Sequence, residues 1–499
     1  MKNIKKLLCL LAATVLFLTS CGNTSDSVSV DNNTPLNDSN LNNAEIISEE
    51  PTEEQRLYSE APVIDFGGED FVIMVTPWSI PIWNQRDIAV EEEIGEIFND
   101  SVYRRNSVVE EAYNSKIVER VSNDLVSEVR RIVNAGDRSV DAVTPRLRSL
   151  NPLSTGGLLV EFGDLPHIDL SKPWWDKNSA EALSVTEKLF GVCSDITVMD
   201  NDSTSALVFN KQLLTDYALE DPYAAVKNGT WTLDKLQEMT KAVSEDIDGN
   251  GVMDDKDRYG LLYQRDSMTS FLTGSGEFIA AKDNNDIPVM TLNTQKAIDI
   301  LDYLYDFLYD ESYCFHVMKF FDPIGVDFTL GMNNMFQNNQ ALFMWIRMAD
   351  VENLRTMDTD FGILPIPKYN QAQSDYLHNV NPHVGTVTAV PQSAKNIEAS
   401  SAILDMLANE SRYVLHPAYY EICLNSKITR DEESSAMLDI IFSNRVYDIG
   451  DIYDFGGLGN EVIYMSMTFA RDIVSRYERM EPRAITAIER MVNEYSNLE

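Results

Sequence analysis

The stretch Asn228–Leu262, NGTWTLDKLQEMTKAVSEDIDGNGVMDDKDRYGLL, joins an amphipathic helix, an acidic glycine-containing loop and a short apolar strand, in that order. Thr232 fits a helix N-cap, while Lys235 stands where a capping box places Glu, so half of that signature is present. Leu233, Leu236, Met239 and Val243 recur at near-helical spacing and predict one buried stripe. In the loop, oxygen-bearing side chains occupy positions 1, 3, 5, 9 and 12, namely Asp246, Asp248, Asn250, Asp254 and Asp257. Gly251 at position 6 permits a sharp turn, and Val252 at position 7 offers its backbone carbonyl. That pattern suits a hard, oxygen-seeking cation such as Ca²⁺. Asp257 replaces the usual Glu, and a shorter carboxylate lowers affinity or admits Mg²⁺. The same residues also read as an acidic turn that holds no metal. Tyr259 to Tyr263 then reads as a strand, so the loop does not lie between two helices. The expectation is a structural Ca²⁺ that staples the fold rather than one that senses calcium.

The N-terminus carries Lys2, Lys5 and Lys6 and then an apolar run from Leu7 to Leu18. A basic start and an apolar segment of about 12 residues make an export signal too short to span a bilayer. It ends in Leu18-Thr-Ser-Cys21-Gly22, which resembles the lipobox of bacterial lipoproteins. That resemblance implies a signal peptide over 1–20 and a lipidated Cys21 as the mature first residue, anchoring the chain to the extracytoplasmic face of the cell membrane. Residues 21–60 are rich in Ser, Asn, Asp, Thr and Glu, bury too little to fold, and read as a disordered tether.

Roughly 440 residues remain for the folded body, more than one ordinary core holds and suited to two lobes. The formal charge of −39 repels nucleic acid and anionic lipid. Beyond the signal and Cys21, Cys193, Cys314 and Cys423 are too few and too scattered for a disulfide framework, and buried free thiols are expected. Phe71–Val75, a helix over 94–115, Ile117–Val121, a helix over 124–134 and Asp141–Thr144 alternate as in a parallel α/β sheet. Ala206–Asn210 opens a new unit. Ala341–Ile346, Phe361–Pro365 and Gly385–Val390 read as further strands, and the chain from Lys395 onward as mainly helical.

Four pieces together resemble the family 1 extracellular solute-binding proteins of ABC importers, the group of the maltose-binding protein. They are the lipobox, Ala206-Leu-Val-Phe-Asn210-Lys with its following helix, Trp231 through Gly251 to Tyr259-Gly-Leu261, and Gln340–Met344 with Phe361–Pro367 and Val390-Pro391. They cover most of residues 65–420, and the helices from Asp431 onward give no specific match. The resemblance implies an α/β fold of two lobes, each a mostly parallel sheet flanked by helices, with a helical C-terminal region. Lobe one would comprise 65–200 with 386–430, and lobe two 201–385 with 431–499. It implies that a solute, a mono- or oligosaccharide by family habit, is captured by cleft closure and delivered by a monomer to a permease.

A sugar cleft needs flat apolar faces and paired hydrogen-bonding groups, and strand C-terminal edges are where such groups belong. Trp78, Trp83 and Asn84 follow the first strand; Trp345 and Arg347 end another; Asp202 and His383 lie near the expected hinge segments. Each also has an ordinary reading, as core, salt bridge, linker or turn. Trp174 and Trp175 are expected to cap the core more than to touch ligand, and Trp231 to be structural.

The chain is not expected to be an enzyme. Its five histidines show no HxxxH pair, and there is no GxSxG elbow, CxxC, Walker loop or GxGxxG. The alternative is a lipid-anchored glycan hydrolase or lyase, because carboxylates are abundant enough to supply a catalytic pair. A surface scaffold assembled through the calcium loop is a third reading, weakened by the presence of one such loop rather than two.

Overall fold

The structure is a computed structural model that describes residues 56–77, 85–424 and 432–498. Residues 57–499 gather into one compact unit. The signal peptide, Cys21, nearly all of the tether, and Trp78, Trp83 and Asn84 lie outside the described residues.

Strands β1 (Asp70–Val75), β2 (Lys116–Val121) and β3 (Ala142–Thr144) form a parallel sheet in the order β2-β1-β3. Phe71 pairs with Ile117, and Ile73 with Ala142. The helices between them begin and end where local chemistry dictates. Glu96 accepts from the Asn99 N–H and Asp124 from the Ser127 N–H, while Asn114 and Gly136 close the two helices in the left-handed conformation.

The second sheet holds β4 (Ser205–Asn210), β5 (Tyr259–Tyr263), β8 (Cys314–His316), β9 (Ala341–Arg347) and β10 (Phe361–Leu364) in the order β10-β4-β9-β5-β8. A small hairpin, β6 (Ala280–Lys282) with β7 (Pro288–Met290), stands apart from it. Four of the five strands run one way; β4 alone is antiparallel to its neighbours. The chain arrives from the first sheet at the edge where the parallel strands end, so β4 must run back along them.

The expected strand over 385–390 forms no continuous ladder. Val143 bridges Ala389, Arg146 bridges Thr386 and Val192 bridges Thr388, each singly and antiparallel. Pro145 explains the break: its carbonyl accepts from the Val387 N–H, but proline has no N–H to return. The segment still extends the first sheet beyond β3, with 192–194 as the next neighbour.

The stretch around 231–263 folds as its pattern predicts. The helix Leu233–Lys241 starts at Thr232, whose side chain accepts from the Lys235 N–H, and Leu233, Leu236, Met239 and Val243 are buried. Lys235 pairs instead with Glu220 and Glu238. Trp231 is fully buried, tilts against Phe343 and donates from Nε1 to the Pro365 carbonyl at 2.8 Å. A Cβ on Gly260 would lie 2.1 Å from the Thr240 carbonyl oxygen, so only glycine lets β5 pass this close to the helix end. Trp174 and Trp175 are also buried, both indoles donating to Asp405 Oδ1 at 2.9 Å. Cys193, Cys314 and Cys423 are free and buried. Among the described residues no helix is long and apolar enough to cross a membrane.

Candidate functional site

Two chain segments cross side by side between the sheets, Val198–Ser205 and His378–Gly385. The latter begins with β11 (His378–Asn379), which pairs with β12 (Arg445–Val446). Thr204 bridges Val380, and the Asn381 N–H donates to the Ser203 carbonyl at 3.0 Å. The Ser205 hydroxyl donates to Asn379 Oδ1 at 2.6 Å. On one side of this crossing β1 and β3 end, at Val75 and Thr144; on the other β5, β8 and β9 end, at Tyr263, His316 and Arg347. The C-terminal edges of both sheets therefore meet at the crossing, where ligands of open α/β sheets sit.

The segment after the first strand packs onto this junction. Gln85 accepts from the Thr144 hydroxyl at 2.8 Å, and Asp87 Oδ2 accepts from the Val198 N–H at 2.7 Å. Arg86 reaches across to Glu352, in the 3₁₀ turn that follows β9, and Arg146 donates to the Pro77 carbonyl at 2.7 Å. Asp202 lies fully inside the crossing, where Tyr419 donates its hydroxyl to Oδ1 at 2.9 Å. Burial pushes its carboxyl up to about 7, against the pull of Arg86 and the Tyr419 hydrogen bond.

His383 lies in the second crossing, half-buried, with Arg148, Asp266, Arg265 and Asp454 around it. Burial, then the Arg148 charge, hold its imidazole down at about 4, so it is neutral at pH 7. Asn381 donates to Asp266 Oδ2 at 3.2 Å, while Arg148 pairs with Asp451 at 3.1 Å and Asp454 at 2.8 Å. Trp345 and Arg347 do end a strand at the junction but are nearly fully buried, 1% and 5% exposed, and present almost no surface in this conformation. Tyr263 and His316 occupy paired positions at the same edge, their rings 4.8 Å apart.

The structure thus leaves His383 half-buried at the junction, holds Asp202, Trp345 and Arg347 beneath its surface, and describes nothing of Trp78, Trp83 or Asn84. The sequence reading left out Arg146 and Asp266. The strand-end rule that selects Trp78 after β1 applies equally to Arg146 after β3 and Asp266 after β5.

The acidic loop lies away from the crossing. Asp246, Asp248 and Asp257 bring carboxylate oxygens within 4.8 Å of one another. Asp257 is fully buried, its two oxygens accepting from the Ile247 and Asp254 N–H groups at 2.9 and 2.8 Å. Asp246 accepts from Gly249 and Gly251, both at positive φ, and Asn250 Oδ1 accepts from the Val252 N–H. Asp254 turns one oxygen to the Lys256 N–H. Three converging carboxylates, one of them wholly buried, fit a hard cation.

No family model and no curated protein matches the chain. Solved structures do. UspC of M. tuberculosis superposes with a TM-score of 0.55 at 14% identity, covering 84% of this chain and 100% of that one. A cyclo/maltodextrin-binding protein complexed with maltotetraose gives 0.53 at 13% identity, over 87% and 98% of the two chains. The maltose-binding periplasmic protein MalE from Listeria monocytogenes, in complex with maltose, gives 0.51 at 15% identity, over 87% and 99%. The chain has the two-lobed α/β fold of the periplasmic binding proteins.

Proposed function

We propose that the chain is the substrate-binding lipoprotein of an ABC importer, capturing a carbohydrate outside the cell and handing it unaltered to a permease. The observation that carries this reading is the meeting of two sheets' C-terminal edges across a paired crossing. Hinge closure on a solute that touches both halves follows from such a plan. The fold likeness to proteins solved with maltotetraose and maltose supports a saccharide. Arg146 and His383, both half-buried, offer donors and acceptors at the junction for sugar hydroxyls.

On the same reading the protein acts as a monomer, tethered to the outer face of the membrane through a lipidated Cys21. A structural Ca²⁺ is held by Asp246, Asp248 and Asp257 with Asn250, Asp254 and the Val252 carbonyl, as the oxygen pattern and the converging carboxylates support. The test is a thermal-shift screen of the protein against mono- and oligosaccharides. A ligand raises the melting point by mass action, and a panel with no shift counts against a saccharide.

A further inference from the structure

A cavity of about 580 Å³ opens beside the first crossing segment, with Asn201 in its lining. Trp175 bridges Ser194, so the cavity lies beyond the last strand of the extended first sheet. Its walls come from three places: residues 170–178 with Asp195, the helix Ile397–Leu424 through Arg412, His416 and Tyr420, and the end of the helix Glu432–Ser443.

The charged groups around this cavity are largely paired with one another. Four cations, Lys172, Lys177, Arg412 and Arg445, line the cavity with two carboxylates, Asp176 and Asp195, and Lys172 and Lys177 also pair with Glu60 and Glu181 just outside the lining. Both carboxylates are already engaged. Arg445 Nη2 holds Asp176 at 2.6 Å, and its Nη1 holds Asp200, just outside the lining, at 2.7 Å. Arg412 Nη1 lies 3.2 Å from Asp195, with His416 Nε2 at 3.1 Å on the other oxygen. Burial also pushes Asp195 up to about 7, which thins its negative charge near neutrality.

Donors remain on two of the lining side chains. Arg412 bonds Asp195 and the Pro173 carbonyl through Nη1 alone, and its side chain is 40% exposed, which leaves Nη2 and Nε for a ligand. Asn201 is buried, and its Nδ2 has no partner among the described residues. Tyr420 and Phe442, rings 5.4 Å apart, supply an apolar wall beside these donors. A guanidinium fork next to an aromatic wall recognises an oxyanion carried on a carbon skeleton.

We propose that this cavity binds a small organic anion, a carboxylate or a phosphate ester, through Arg412, at a site separate from the sugar junction. The proposal does not rest on the saccharide reading. The test titrates the purified protein, without sugar, with inorganic phosphate in one calorimetric experiment and succinate in another, at fixed ionic strength. At least one of the two anions should bind at one site per chain, and the better binder names the oxyanion. Arg412→Gln should weaken that binding at least about tenfold, with Arg412→Lys intermediate because it keeps charge but loses the fork. An unliganded melting point and far-UV circular dichroism spectrum of Arg412→Gln matching those of the natural chain would show the variant folded. Absence of binding by both anions, or affinity unchanged in Arg412→Gln, overturns the proposal.

Discussion

Arg86 donates from Nη2 to Glu352 Oε1 at 3.0 Å, joining the segment after β1 to the turn after β9 and so tying one sheet's edge to the other's. The pair is partly exposed, at 36% and 25%, so solvent screens it. Arg86 also lies over the Phe98 ring, 4.9 Å from its centroid, which adds a contact that salt does not remove. A double-mutant cycle of Arg86→Ala and Glu352→Gln in urea denaturation should give a coupling of about 0.5–1 kcal/mol that shrinks in about 1 M salt. A coupling indifferent to salt would contradict the ion-pair account.

Gly260 makes the sharpest steric prediction. A methyl group there would meet the Thr240 carbonyl oxygen at 2.1 Å, and neither backbone can yield without moving the helix Leu233–Lys241 off β5. Gly260→Ala should lower stability by about 2–3 kcal/mol, read as a fall in denaturation midpoint. A neutral result would mean the helix and strand are further apart than described.

Much of this was legible in the residues. The stripe Leu233, Leu236, Met239, Val243 specified a helix face, and Tyr259–Tyr263 a strand, because spacing alone determines which side chains share a face. The run Ala341–Ile346 also held more than strand identity. It is apolar at every position, as in a strand covered on both faces, so the burial of Trp345 was implied by the residues that suggested it as a binding platform. The reversal of β4 was not legible, since strand direction depends on where the chain enters the sheet. Nor was the interruption of 385–390, because the proline responsible, Pro145, lies about 240 residues away on its partner. The groups around His383 come from three separate stretches, and no local pattern announces that they meet.

The calcium loop can be tested without disturbing the fold. Asp248 is exposed, and its Oδ1 accepts from the Asn250 N–H. Ca²⁺ at about 100 times its Kd should stabilise the protein by about 2.7 kcal/mol over an EDTA control. Asp248→Asn should leave the EDTA melting point near that of the natural chain and lose most of the Ca²⁺ increment. Equal melting points with Ca²⁺ and EDTA in the natural chain would argue for a turn that holds no metal.

Asp202 should make stability depend on pH. An acid raised from 3.8 to about 7 by burial takes up a proton on folding, so its contribution is full below the unfolded value and is lost as pH rises through about 7. Asn in its place keeps an oxygen for the Tyr419 hydroxyl and has no such dependence. The stability of Asp202→Asn relative to the natural chain should therefore rise between about pH 5 and about pH 7 and level off above it, by at most about 3 kcal/mol. A difference that is flat over this range, or that falls, would place the carboxylate in a more polar setting than the crossing provides.

The central claim is that two halves close on a sugar and release it intact. Calorimetric titration of the purified protein with maltose, maltotetraose and other mono- and oligosaccharides, followed by chromatography of the recovered sugar, tests it most directly. Saturable binding of at least one saccharide, one per chain, with the sugar recovered chemically unchanged, is the predicted result. Failure of the whole panel to bind, or the appearance of cleaved product on incubation, would contradict it.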